Sequence, residues 1–225
     1  QFVAPQLATL VSAPPKGGRW IYEVKHDGYR MLARITHEVR LFTRSGKDWT
    51  AKLPHLAEAL AKLAPRDSWL DGEIVVSGAD GRSSFQALQN AFDAGRDAGI
   101  VYYVFDAPFL SGADQTRLPL AERKQRLQKK LRFGERIRLS EHLEGEAEQV
   151  LAQACKLGLE GLIGKDPDAV YAPGRSKSWI KLKCRRRQDF VVGGYTAPGG
   201  SRHGFGALLV GFYDARGKLQ YAGKV

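Results

Sequence analysis

The run Glu23-Val24-Lys25-His26-Asp27-Gly28-Tyr29-Arg30 ends a β-rich stretch on a lysine and follows it with a turn-forming Asp-Gly pair. Alternation along the strand puts Glu23 and Lys25 on one face, and Gly28 allows backbone to approach a ligand closely. A lysine is a nucleophile only when deprotonated, and its ordinary pKa of about 10.4 leaves little free amine near neutrality. Neighbouring cations or burial lower that value, which is how lysines are activated. Taken alone, the same four-residue Lys-x-Asp-Gly pattern also describes a surface turn between two strands.

Other groups in the sequence suit such a lysine. Asp71-Gly72-Glu73 follows the start of a strand at Trp69-Leu70, and a carboxylate there can hold Mg²⁺ or a ribose hydroxyl, or simply belong to a turn. Phe105 reads as core, or as a ring on which a purine stacks. Glu160-Gly161-Leu162-Ile163-Gly164-Lys165 places an acid and a base around a tight apolar strand. In Trp179-Ile180-Lys181-Leu182-Lys183 both lysines share a face. Two ammonium groups there repel unless an anion such as phosphate lies between them; the alternative is a lysine-protected edge strand.

The elements that must position these groups follow from periodicity and punctuation. Strands are expected at Trp20–Lys25, Tyr29–Ile35, Val39–Thr43, Trp69–Val76 and Ile100–Leu110, with short ones at Leu162-Ile163 and Trp179–Lys183. Helices are expected at Leu53–Leu63, after Ser83-Ser84 through Asn90, at Pro119–Lys130 with Leu120, Arg123, Leu127 and Leu131 on one stripe, and at Gly145–Leu157. The first segment, to Lys16, is dotted with proline, lacks a period and reads as surface wrapping. Beyond Asp189 glycine and aromatic residues increase, and three further strands read as the opening of a small barrel that five would close. The domain boundary is therefore expected near Arg187: an α+β domain over 1–187, and part of an all-β domain over 188–225.

The bulk properties narrow the partners. The 225 residues carry a formal charge of +11 and a pI of about 9.7, which favours a polyanion. No apolar run approaches the ~20 residues of a membrane span, and no basic amphipathic helix argues for a membrane surface. Cys155 and Cys184 are too few for a disulfide framework or a cysteine zinc site, and suit a reducing cytoplasm. None of the five histidines shows metal-ligand spacing. A chain that begins at Gln1 reads as a soluble piece of a longer polypeptide.

In order, Lys25-x-Asp27-Gly28, Thr43-Arg44-Ser45-Gly46, Asp71-Gly72-Glu73, Val104-Phe105-Asp106, Glu160–Lys165 and Trp179–Lys183 resemble motifs I, Ia, III, IIIa, IV and V of the covalent nucleotidyltransferases, which comprise DNA ligases, RNA ligases and mRNA-capping enzymes. The wording of Val3–Ala8, Phe85–Asn90 and Leu159-Glu160-Gly161 is closest to the ligase domains of bacterial end-joining ligases. The resemblance implies twisted, largely antiparallel sheets around a nucleotide pocket, followed here by an incomplete OB-fold. It implies that Lys25 takes AMP from ATP, that Glu23 faces the adenine and that Phe105 stacks on it. Arg30 and Glu73 would bind the ribose and phosphate region, Arg44 the nucleotide or DNA strand, and Lys165, Lys181 and Lys183 the phosphate oxygens. Glu73 and Glu160 would position Mg²⁺ or Mn²⁺.

The implied substrate is nicked or broken duplex DNA in a bacterial cytoplasm at the nucleoid, with fused polymerase or nuclease modules, an end-binding protein and no membrane. An acid-free basic run, Arg175, Lys177, Lys181, Lys183, Arg185, Arg186 and Arg187, would meet duplex phosphates at the domain hinge or form a solvated linker. Motif VI, which orients the leaving pyrophosphate, has no match, so poor adenylation from ATP is expected of these 225 residues. A capping guanylyltransferase, an RNA ligase and a non-catalytic nucleic-acid-binding module are the competing readings.

Overall fold

A computed structural model describes residues 2–15, 17–78, 82–184, 190–199 and 204–225. The chain divides into two compact units, Gln1–Cys184 and Arg185–Val225. Arg185, Arg186 and Arg187, with the expected boundary, lie outside the described residues.

The first unit runs β1 (Gln6–Leu10), β2 (Ile21–Val24), β3 (Tyr29–Ile35), β4 (Val39–Thr43), α1 (Pro54–Leu63), β5 (Ser68–Val76), α2 (Phe85–Asp93), β6 (Ile100–Leu110), β7 (Ala113–Asp114), α3 (Leu120–Lys130), β8 (Ile137–Leu139), β9 (His142–Leu143), α4 (Ala147–Lys156), β10 (Gly161–Lys165) and β11 (Gly174–Lys183). Two sheets form, ordered β1-β11-β10-β2-β9 and β4-β3-β5-β6-β7, with β8 on β6. Pairing is mostly antiparallel, but β1 on β11 and β8 on β6 run parallel, so both sheets are mixed.

The β4–β7 sheet buries Met31, Leu41, Leu70, Tyr102 and Val104 with Leu56 and Leu60 of α1 and Leu127 of α3. Helix α1 opens on Pro54, a position where the missing N–H is harmless. Helix α4 covers the other sheet through Ala154 against Leu162, Ile180 and Leu182. A third cluster of Ile21, Phe105, Leu120 and Trp179 joins residues of both sheets, and the site lies beside it.

The segment expected to wrap the surface instead supplies strand β1. Its Gln6 is fully buried: the side-chain amide donates to Ser176 and Ser178, and its carbonyl accepts from the Ala172 amide. The partner strand lies about 165 residues away in sequence, so no local period announces the pairing.

The cysteines also depart from expectation. Cys155 in α4 and Cys184, next after β11, form a disulfide with Cα atoms 5.3 Å apart. The backbone amide of Cys184 donates to the Glu160 carbonyl, so helix, strand end and site residue are tied at one point. Closing a loop across a sequence separation of 29 should add about 3.6 kcal/mol on chain-entropy grounds. Reduction should then lower the melting temperature by about 10 °C, and a Cys155→Ser/Cys184→Ser protein should not respond to dithiothreitol. Equal melting with and without reductant in the wild type would show that the pair does not stabilise the fold.

In the second unit β12 (Val191–Tyr195), β13 (Leu208–Tyr213) and β14 (Leu219–Lys224) form an antiparallel sheet in that order. Among the described residues no helix is long and apolar enough to cross a membrane.

Candidate active site

The turn after β2 is held from two directions. The Lys25 amide donates to the Gly161 carbonyl. The Asp27 amide donates to Ser83 Oγ, and the Asp27 carboxylate accepts from the Phe85 amide at the start of α2. Gly28 is required by its neighbours: a Cβ there would lie 2.1 Å from the Ile74 carbonyl oxygen. The close approach is therefore to β5 of the fold itself. On the other side, Gly161 has φ of +152° and packs so that a Cβ would meet the Leu182 carbonyl at 2.0 Å. These contacts bring β2, β10 and β11 into register, with Glu23 opposite Ile163 and Ile163 opposite Lys181.

Lys25 Nζ donates to Glu160 Oε2, and Lys183 Nζ lies 3.3 Å from the other oxygen. Beside this pair a cavity of about 120 Å³ is lined by Glu23, Lys25, Arg30, Glu73, Phe105 and Lys165. A wider cleft of about 550 Å³ is lined by Arg30, Arg44, Lys47, Glu73, Arg175 and Lys181. Arg30 and Glu73 face both, so a narrow end that carries the Phe105 ring adjoins a wider cationic one. That is the shape a base joined to phosphates needs.

Arg30 is clamped by Asp71 at 2.5 and 2.6 Å, and Tyr171 Oη donates to the same carboxylate at 2.7 Å. Burial alone would lower the Arg30 pKa, but Asp71 holds it above its ordinary value. Asp71 is thus a support rather than a ligand, and Glu73, its neighbour across a bulged register, is the carboxylate that faces the cleft. Burial pushes the Glu73 carboxyl up to about 7, against the pull of Arg30 and Lys25. Its folded value exceeds its unfolded one, so its contribution to stability is intact below about pH 4.5 and is lost as pH rises through about 7. Glu73→Gln should melt with the wild type near pH 4 and above it near pH 8, by about 1–3 kcal/mol. A difference that ignores pH would refute this.

His26 stacks on Tyr103 with ring centroids 4.1 Å apart, and burial lowers its pKa to about 4, which keeps it neutral beside Lys25. The Lys181 ammonium is depressed by desolvation, then by Arg175, Lys183 and Lys25.

Every sequence-predicted site residue reaches this region except in one respect. Lys165 does not join the open cations. It is fully buried, 2.9 Å from Glu23 Oε2 though off the line of a hydrogen bond, and 4.3 and 4.2 Å from the ring centres of Phe105 and Trp179. Burial lowers its pKa to about 8 against the pull of Glu23. Lys165 lines the smaller cavity and not the wider cleft that Lys181 lines. Arg30 also lies over Phe105, at 4.4 Å.

Sequence reasoning missed the supports: Asp27 on α2, Tyr171 on Asp71, Arg123 of α3 on Asp106 at 2.7 and 2.8 Å, and Lys124 on Glu23. A signal existed for Arg123, which falls on the apolar stripe of α3 where a solvated charge has no place.

A hard cation prefers oxygen ligands, and Mg²⁺ commonly uses one or two carboxylates together with substrate phosphates. Glu73 makes no hydrogen bond or ion pair among the described residues, and Glu160 lies beside it across Lys25. Among the described residues no group of three or more His, Cys, Asp or Glu converges. The donor set fits a cation shared with phosphate oxygens, not an all-protein cage.

The model of the ATP-dependent DNA ligase domain matches residues 5–183. The chain belongs to the ATP-dependent DNA ligase family. It is 52% identical over 230 residues to the multifunctional non-homologous end joining protein LigD of Pseudomonas aeruginosa, covering all of this chain and 27% of that protein. It is 39% identical over 227 residues to the multifunctional non-homologous end joining DNA repair protein LigD of Mycobacterium tuberculosis, covering 99% of this chain and 29% of that protein. The chain therefore spans under a third of the length of these relatives. The structure of mycobacterial DNA ligase D complexed with ATP and MES superposes with a TM-score of 0.71 at 36% identity, covering 99% of this chain and 71% of that one. Family membership favours DNA ligation over RNA ligation, capping and non-catalytic binding.

Proposed function

We propose that this chain is the adenylating core of an ATP-dependent ligase that joins 5′-phosphate to 3′-hydroxyl at nicks or breaks in duplex DNA, in double-strand break repair. The observation that carries the proposal is the contact of Lys25 Nζ with Glu160 at the mouth of a cavity whose outer end is cationic.

Lys25 Nζ attacks the α-phosphorus of ATP, a P–N bond forms, and the bond to pyrophosphate breaks. Glu160 is the acceptor in contact with the proton that Nζ must lose. Lys181 and Lys183, with Arg44 at the rim, oppose the negative charge that builds on the phosphate oxygens. Arg30, held rigid by Asp71, and Glu73 flank the ribose, and Phe105 and Glu23 meet the adenine. Mg²⁺ or Mn²⁺ held by Glu73, Glu160 and the phosphates would add Lewis-acid charge stabilisation. The AMP then passes to the DNA 5′-phosphate and leaves when the 3′-hydroxyl attacks. The second unit is read as the opening strands of an OB-fold, and Arg175 and Lys181 as phosphate contacts. Further modules and an end-binding partner belong to the same reading, in keeping with the multifunctional end-joining relatives.

The test is sealing of a labelled nicked duplex by a protein that carries this chain together with a complete following domain. Joined product is expected with ATP and a divalent cation, not with GTP, and DNA binding should fall steeply with salt. Sealing that proceeds in a chelator, or equally with GTP, contradicts the reading.

A further inference from the structure

Behind the base end of the cavity lies a lysine that none of the steps above uses. Lys124 is 5% exposed on the inward face of α3. Its Nζ donates to Glu23 Oε1 at 2.6 Å and to the Ser140 carbonyl at 2.9 Å. Ser140 Oγ donates to Glu23 Oε2 at 2.7 Å, the oxygen that Lys165 also approaches. Glu23 itself lines the cavity, whereas Lys124 stands outside its lining. Burial alone would raise the Glu23 pKa, but Lys124 and Lys165 outweigh it and keep the carboxyl below its ordinary range.

An ionised carboxylate accepts hydrogen bonds and donates none. Oε2 accepts from Ser140 Oγ and lies beside the Lys165 ammonium, and Oε1 accepts from Lys124 alone, which leaves Oε1 with accepting capacity. A fixed acceptor welcomes the amino group of a 6-aminopurine and repels the carbonyl oxygen of a 6-oxopurine. We infer that Lys124 is a positioning residue which, by fixing the Glu23 carboxylate, makes the cavity select 6-amino over 6-oxo purine nucleotides. This rests on the reading above that Glu23 faces the base. Without Lys124 the carboxylate loses one of its two ammonium partners and keeps only the Ser140 hydroxyl as a hydrogen-bond donor, so it can rotate or hold a proton and donate to the oxo group instead.

The probes are ATP and inosine triphosphate, which differ at C6 and in the proton on the adjacent N1 but share sugar and phosphates. Dissociation constants are measured on the 225-residue chain by calorimetry, so no catalytic step is needed. The wild type should prefer ATP by about 10- to 100-fold, the range of a hydrogen bond to a charged group. Lys124→Met should bring the ratio to within about threefold, Lys124→Arg should restore part of it, and Ser140→Ala should fall between. Melting curves identify any variant that is unfolded, and Ser140→Ala, which keeps both ammonium groups, then carries the test. Damage that is merely structural weakens both nucleotides by one factor and leaves the ratio alone. A wild-type ratio in folded Lys124→Met, or in Ser140→Ala if Lys124→Met does not fold, overturns the inference. A wild type that does not discriminate overturns the reading of Glu23 as base-facing, and this inference with it.

Discussion

Lys25→Arg and Lys25→Ala should both abolish covalent AMP transfer in a protein carrying this chain with a complete following domain. The expected loss is on the order of 10⁵-fold or more, the scale on which removing a covalent nucleophile acts. Arginine is the more telling change. It keeps a cation against Glu160, but its guanidinium stays charged and offers no free amine. Neither neighbour is placed as Lys25 is: Lys165 is held beside Glu23, Phe105 and Trp179, and Lys183 lies 3.3 Å from the other oxygen of Glu160. Labelling that survives in Lys25→Arg, read by gel with labelled ATP, would place the nucleophile elsewhere.

Glu160→Gln should lower the rate of AMP transfer by about 10²- to 10³-fold. The substitution preserves volume and leaves the backbone carbonyl that binds Cys184, so packing is retained. It removes the charge that contacts Lys25 and Lys183 together, the acceptor for the Nζ proton, and one of two carboxylates suited to a divalent cation. The defect should appear in the saturated rate rather than in nucleotide affinity, because Glu160 does not line the base cavity. Single-turnover labelling across ATP concentrations separates the two. An unchanged rate with weakened binding would make Glu160 a binding residue only.

How legible all this is depends on the range of the interaction concerned. Strands β3, β4 and β6 follow their sequence patterns because alternation or a long apolar run is bounded by Asp27-Gly28, Arg44-Ser45-Gly46 and Ser111-Gly112. The cap of α2 is local too: Ser84 Oγ accepts from the Ala87 amide. The site residues on these strands, Arg30 and Phe105, are named by the resemblance of their motifs to the nucleotidyltransferases, not by spacing. What the pattern could not carry is set by partners distant in sequence. Strand β1 exists only through β11, and the cysteines meet only because α4 ends beside the last residues of β11. Lys165 reads as one more cation in a basic chain until Glu23, Phe105 and Trp179 close around it. Gly28 was expected to admit a ligand, and in the fold it admits the backbone of β5.

The central claim is that Lys25 becomes covalently joined to AMP. It is tested most directly by intact mass followed by peptide mapping, after incubation of the extended protein with ATP and Mg²⁺. The expected result is a gain of one AMP, located on the peptide that contains Lys25, absent in Lys25→Arg and discharged when pyrophosphate is added back. An unmodified mass in a protein that nonetheless seals nicks with ATP, or an adduct on any other residue, would contradict it.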